Sequence, residues 1–344
     1  MNIHVVGIDL GKTVFHLVGM DAEGNITLRK RMSRSQVLAY LVNVPACTVA
    51  MEASCGAHFL GRQLRGYGHQ VRLIPAQFVR PFVKSQKNDY VDAEAIAEAA
   101  QRPTMRFVPI KTEDQLDLQA LHRQRDRLIE RRTALINQLR AFLLERGITI
   151  RTGRLQLRRE LASMQAVLDE RLSPRMGRMF KRTMEEWKAL EKDIEEVDAE
   201  IQAIAQADEG CRRLLTVPGI GPIVATAMVA AIGNGSAFQK GREFATWMGL
   251  VPQQWSTGGK PKLLGISKRG NEYLRRLFIH GARSVVSRVK RERLPFGSWI
   301  TSLQARSHHN VLCVAVANKL ARIAWTVLNR QTEFAPAVVT GTPA

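Results

Sequence analysis

Apolar positions in the first hundred residues fall in short blocks separated by turn residues. IHVVGIDL, VFHLVGMD and NITLRKRM read as three strands, the last two joined across Asp21 to Asn25 as a hairpin. A short helix (Ser35 to Leu41), a strand ending at Glu52, a helix (Ala57 to Gly66) and a strand (Gln70 to Ile74) follow. Three strands and then alternating helices and strands predict a mixed sheet. From Thr112 to Gln206 the period becomes helical. Leu116, Leu121, Leu128, Leu135, Leu139 and Phe142 keep an apolar stripe through an arginine-rich helix that breaks at Gly147. Trp187, Leu190, Ile194, Val197, Ile201 and Ile204 then form a heptad seam, which predicts a helical hairpin, a coiled coil between chains, or the core face of a helical domain. Residues 211 to 330 form a further unit: LLTVPGIGPIVATAMVAAIG reads as helix, tight turn and helix, and another apolar helix runs from Val311 to Leu328. The predicted organisation is α/β followed by all-α: an N-terminal domain over 1–111, a helical coiled-coil segment over 112–208, a helical C-terminal domain over 209–331 and a flexible tail over 332–344.

Chemistry is concentrated in four carboxylates. Asp9 closes the first strand in GIDLGK, Glu52 closes a later strand in AMEAS, and Asp89 and Asp92 lie three apart at the start of an alanine-rich helical pattern, hence on one helix face. Any one of them alone is an ordinary turn or cap residue. Together, two strand ends and one helix offer four hard oxygen ligands, a set suited to paired Mg²⁺ ions acting on phosphate. Strand, Asp and glycine turn occur in ribonuclease H-like nucleases and in actin-like ATPases, but the later glycine-rich phosphate loops of the ATPases are missing here. Arg80, Lys84 and Lys87 precede the helix and are expected to place cations beside the acids.

Composition fits a polyanionic partner. Lys and Arg number 51 against 31 Asp and Glu, a formal net charge of +20 over 344 residues, and a basic surface of this kind binds a phosphate backbone with strong salt dependence. The four cysteines, Cys47, Cys55, Cys211 and Cys313, have no metal-site spacing and read as reduced residues of a cytoplasmic protein. No signal peptide is visible and no apolar run approaches the roughly 20 residues of a membrane span.

Two further segments point to nucleic acid. Backbone N–H groups of the Pro218 to Gly221 turn, at Gly219 and Gly221, suit a DNA phosphate in a helix-hairpin-helix, although such turns also join purely structural helices. Trp255-Ser256-Thr257-Gly258-Gly259-Lys260 reads as a glycine-rich loop, with Lys260, Lys262, Lys268, Arg269, Arg275 and Arg276 close in sequence. Its serine is either a phosphate contact or a nucleophile toward phosphorus.

GIDLGK, AMEAS, the ND-x-x-DA-x-x-IA pattern from Asp89, PGIGP at 218–222 and GLVPQQ-x-STGGK with GISKRGN-x-x-LRR at 249–276 resemble the DEDD transposases of the IS110 family, and the serine segment is most similar to the IS1111 group. The resemblance runs over nearly the whole chain. It implies a RuvC-like, ribonuclease H-like catalytic domain, a coiled-coil segment and a C-terminal transposase domain. It makes Asp9, Glu52, Asp89 and Asp92 the Mg²⁺ ligands and Ser256 the nucleophile of a serine-recombinase-type covalent phosphoserine intermediate. From the glycine turn and the basic segment themselves, Gly219, Gly221, Thr257, Lys260, Lys268, Arg269 and Arg275 are read as nucleic-acid contacts. The implied partners are donor and target DNA, a structured bridge-type noncoding RNA as guide, and further copies of the chain in a dimer or tetramer, with no membrane. Two rival readings use the same residues differently: a RuvC-like junction nuclease with water as nucleophile, and a non-catalytic nucleic-acid-binding protein.

Overall fold

The computed structural model describes residues 2–84 and 88–335, with backbone only at Gln165. Lys87 and the tail beyond residue 335 therefore lie outside the described residues. The chain divides into two compact units, Met1–Glu113 and Asp114–Ala344.

The first unit is a five-stranded mixed sheet covered on both faces. Strands β1 (Val5–Leu10), β2 (Val14–Met20) and β3 (Ile26–Ser33) are antiparallel neighbours, and β4 (Thr48–Glu52) and β5 (Gln70–Ile74) continue from β1 in parallel, giving the order β3-β2-β1-β4-β5. Asp21 closes the β2–β3 hairpin by accepting from the Asn25 amide at 2.7 Å and the Glu23 amide at 3.1 Å. Helix α1 (Arg34–Leu41) starts at a capping box of Ser33 and Gln36, and with α2 (Ala57–Gly66) it covers one face through Val37, Leu41, Leu60 and Leu64. After the single turn α3 (Ala76–Val79), helix α4 (Asp89–Ala100) covers the other face with Ala93, Ile96, Ala97 and Ala100.

Small residues let α4 sit unusually close to the sheet. A Cβ at Gly7 of β1 would lie 2.1 Å from the Ala93 carbonyl oxygen and 2.6 Å from the Ala97 nitrogen. Both ends of the helix are tied down: Asn88 accepts from the Tyr90 amide at 2.9 Å, and Arg72 of β5 donates to the Ala100 carbonyl at 2.6 Å.

The second unit opens with α5 (Glu113–Leu144), passes through the short helices α6 (Arg154–Ser163) and α7 (Gln165–Arg171), and returns along α8 (Pro174–Ala207). Leu190, Ile194, Val197 and Ile201 of the heptad seam pack on Leu128 and Leu135 of α5, while Trp187 joins the cluster closed by α6 and α7. Arg125 pairs with Asp198 and Arg131 with Glu186, so numbers rise on one helix as they fall on the other and the pair is antiparallel. Apart from the half-buried Ile204, the seam is thus buried within one chain. It leaves no bare stripe that would by itself call for a second copy.

Helices α9 (Glu209–Leu215), α10 (Pro222–Ile232), α11 (Gly241–Trp247), α12 (Glu272–Arg288), α13 (Gly297–Gln304) and α14 (His309–Arg330) build one core, with an exposed hairpin of β6 (Pro252–Thr257) and β7 (Lys260–Ile266) between α11 and α12. Helix α14 corrects the expectation about membrane-length segments. Its 22 residues are long and apolar enough to cross a bilayer by length and composition, because Asn318, Lys319 and Arg322 interrupt the apolar run without making the helix polar. Leu312, Val316, Leu320, Ala324 and Leu328 are nevertheless buried in this core. Cys47, Cys211 and Cys313 are buried, Cys55 is exposed, and all four are free thiols.

One buried polar network joins α5 to this core. His122 lies 3.0 Å from the Tyr273 hydroxyl through Nδ1 and 3.0 Å from Thr226 Oγ1 through Nε2, and the Thr226 hydroxyl donates to the Pro222 carbonyl. The neutral imidazole satisfies both neighbours. Burial first, then the nearby Arg125 charge, pushes the His122 pKa down to about 4. Since the unfolded chain takes up this proton near pH 6.5 and the folded chain only near 4, the stabilisation is complete above 6.5 and fades as pH falls through that window. The expected loss is about 3 kcal/mol. Denaturant titrations at pH 7 and pH 4.5 should show it in the wild type and show a shallower dependence in His122→Gln; equal pH dependence would refute the assignment.

Candidate functional site

The four sequence-predicted carboxylates occupy one end of the first unit's sheet. Ile8 of β1 pairs with Met51 of β4, so Asp9 and Glu52 are the next residues along adjacent parallel strands, at their C-terminal ends. Side chains alternate along a strand. Ile8 and Met51 belong to the α1/α2 side, which turns Asp9 and Glu52 to the α4 side. Asp89 and Asp92 are in the first turn of α4, where the positive end of the helix dipole favours carboxylates.

Electrostatics links Glu52 to Asp9 and Asp92, and distance gathers Asp9, Asp89 and His16. The Glu52 carboxyl is raised above its ordinary range by burial first and then by the charges of Asp9 and Asp92. Carboxylate oxygens of Asp9 and Asp89 and a ring nitrogen of His16 all lie within 4.8 Å of one another. Carboxylates of like charge gathered at one sheet end offer the hard oxygen donors that suit a divalent cation. All four acids are suitable ligands.

His16 was missed in the sequence. It pairs directly with Asp9 across β1 and β2, its Nδ1 is 3.4 Å from Asp89 Oδ2, and its ring meets Tyr90 edge to face at 4.8 Å. The signal was present: the tight turn after Leu10 fixes the hairpin register, and counting back from it sets His16 opposite Asp9. Lys84 corrects the expectation of cations beside the acids, because its ammonium binds Glu98 at 3.0 Å and Glu94 at 3.8 Å, farther along α4.

Ser256 lies in the second unit, and the expectation of a loop is corrected there. It sits on β6, directly opposite Pro261 of β7, and only Gly258 and Gly259 form the turn. Its Oγ accepts a hydrogen bond from Gln254 Nε2 at 2.7 Å. The register separates neighbouring hydroxyls. Ser256 shares a face with Gln254 and Leu263, whereas Thr257 lies on the other face with Trp255, Lys260 and Lys262.

Of the proposed nucleic-acid contacts, Lys260, Lys268 and Arg269 are exposed. Arg275 is not available: it is buried and donates to the Met248 carbonyl at 2.9 Å, holding the end of α11. Sequence proximity to lysines could not distinguish this inward guanidinium from its exposed neighbours. Gly219 has a packing role, since a Cβ there would lie 2.5 Å from Val285 and 2.8 Å from the Gly281 carbonyl of α12, while space beside Gly221 is open. Arg276 pairs with Asp126.

Comparison with known proteins matches both units. Residues 6–147 match the family model described as a transposase with the IS110-type DEDD domain, and residues 211–296 match the model described as Transposase IS116/IS110/IS902 family. The chain is 46% identical to the transposase for insertion sequence element IS1328 of Yersinia enterocolitica, covering 97% of this chain and 99% of that one. It is 45% identical to a probable family 20 transposase of Pseudomonas aeruginosa, over 98% of this chain and all of the other. With the transposase for insertion sequence element IS1111A of Coxiella burnetii it shares 41% identity over 97% of this chain and 92% of that one. Matched end to end at such identities, and carrying its acids at one sheet end, this chain belongs to the IS110/IS116/IS902 family of insertion-sequence transposases, enzymes that cut and rejoin DNA.

Proposed function

We propose that this transposase exchanges DNA strands through a phosphoserine intermediate, with Asp9, Glu52, Asp89 and Asp92 holding Mg²⁺ and Ser256 as the nucleophile. The observation that carries the reading is the convergence of four carboxylates beside Gly7, joined by His16. Bound there, Mg²⁺ would neutralise charge on the scissile phosphate. The hydroxyl of Ser256 attacks phosphorus, an Oγ–P bond forms as the P–O3′ bond breaks, and the departing 3′ oxygen takes up a proton. The 3′ hydroxyl of a second strand then displaces the serine and restores its hydroxyl. One phosphoester replaces another, so the exchange needs no nucleotide hydrolysis. Gln254 positions the serine oxygen through its amide.

The same proposal includes a structured noncoding RNA as guide and a dimer or tetramer as the working form. The net charge of +20 supports a large polyanionic partner. His16 lies where it orients the Asp89 carboxylate or adds a nitrogen ligand.

Replacing any one acid by its amide (Asp9→Asn, Glu52→Gln, Asp89→Asn or Asp92→Asn) should lower strand exchange at least 100-fold while circular dichroism and melting stay close to wild type. Calorimetric titration with Mg²⁺ should lose its heat in the same variants. Full activity of the wild type in EDTA would remove the metal from the proposal.

Ser256→Ala deletes one oxygen from an exposed strand, so stability and nucleic-acid binding should barely change while cleavage disappears. A denaturing gel of labelled DNA should show a shifted, protease-sensitive band for the wild type alone, and Thr257→Ala should retain it. Metal-dependent cutting by Ser256→Ala would identify water as nucleophile and favour the junction-nuclease reading.

Protein purified at low salt should carry one defined RNA species, and its affinity should fall steeply between about 50 and 200 mM salt. Sequencing of the bound RNA checks this; a random cellular mixture would argue against guided recognition.

A further inference from the structure

The β6–β7 hairpin is the least supported regular element of the second unit. From Pro252 to Gly265 every residue is exposed, on both faces. A two-stranded ribbon with no layer against either side is marginal in water and gains stability from what it binds. Three large apolar side chains stand in solvent on it: Trp255 at 67% exposure, Leu263 at 66% and Leu264 at 44%.

The strand register sorts these residues into two dissimilar faces. Trp255 is directly opposite Lys262, and Thr257 is directly opposite Lys260, so an indole, a hydroxyl and two ammonium groups share one face. Ser256 and Gln254 share the other with Pro261 and Leu263. No acidic residue occurs anywhere from Pro252 to Gly270, while Lys268 and Arg269 add two exposed cations just beyond β7. Cations beside an open aromatic plane, with no carboxylate to neutralise them, complement a strand whose phosphates are negative and whose bases are flat.

We propose that the Trp255 face is a stacking platform for an unpaired nucleotide: the indole takes one base, Lys260 and Lys262 hold the neighbouring phosphates, and Thr257 contacts the backbone. The inference rests on the nucleic-acid reading of this hairpin but not on Ser256 being a nucleophile. It assigns the two faces different work, one gripping a splayed base and the other presenting the serine to the backbone. A base must leave its stack to reach the indole, so the platform selects single-stranded or locally unpaired segments over intact duplex. Stacking of this kind is tolerant of base identity because every base has a π face.

Binding of the full chain to a labelled oligothymidylate and to a blunt, fully paired hairpin DNA, followed by fluorescence anisotropy, tests the proposal. Trp255→Ala should weaken oligothymidylate binding about ten-fold or more and leave duplex binding within about two-fold. Trp255→Phe should recover most of the loss, which a merely structural role for the indole would not predict. Lys260→Gln with Lys262→Gln should flatten the salt dependence on the same oligonucleotide. Equal oligothymidylate affinity for wild type and Trp255→Ala overturns the platform. So does a fall in oligomer mass on Trp255→Ala with binding unchanged, which would make the face a contact between copies of the chain. If Trp255 dependence holds while wild-type protein forms no covalent adduct, the serine mechanism fails and the platform stands.

Discussion

The contact on which the first unit's chemistry depends is the one between Gly7 and helix α4. The strand and the helix meet backbone to backbone, with Ala93 and Ala97 opposite a residue that has no side chain. A single methyl there would push into the Ala93 carbonyl, a clash of the kind that costs about 1–3 kcal/mol in a packed core. It would also lift the first turn of α4, and with it Asp89 and Asp92, away from Asp9 and Glu52. Stability and the placing of four like charges are therefore one constraint: the apolar alanine face brings the acids together, and the helix N-terminus favours the two on α4.

A comparable close approach shapes the second unit. A Cβ at Gly249 would strike Arg269, and one at Gly270 would strike the Trp247 carbonyl, so the segments before and after the hairpin interlock through bare backbone. Both glycines have positive φ, 73° and 93°, which other residues adopt only at a cost. Arg275 reinforces the junction through Met248. Much of the GLVPQQ and GISKRGN resemblance is thus scaffolding at the root of an exposed hairpin. That root is closely packed where the hairpin itself is bare.

The distribution of charge follows the same logic. Several guanidinium groups are engaged by partners within the chain: Arg125 with Asp198, Arg132 and Arg154 with Glu191, Arg276 with Asp126, and Arg72 and Arg275 with backbone carbonyls. Net charge therefore overstates the cationic surface in the arginine-rich helices. The hairpin cations, by contrast, lie in a stretch with no acid in sequence between Glu243 and Glu272.

The sequence alone determined the strand and helix order of the first unit, because period-two blocks and helical spacing there alternate cleanly between turn residues. It also determined that Asp9 and Glu52 end strands and that Asp89 and Asp92 share a helix face, since those are statements about local period. Tertiary structure decided the rest. His16 joins the acids only through hairpin pairing, and Lys84 pairs with Glu94 and Glu98 of α4. The heptad seam has the same local pattern whether its partner is another chain or α5, and only packing made it α5. Serine and threonine are adjacent in sequence and opposite in space, because pairing into a ribbon sends successive side chains to different faces. Period along a chain fixes which face a residue takes within its own element; which partner meets that face is a non-local choice set by burial and close packing.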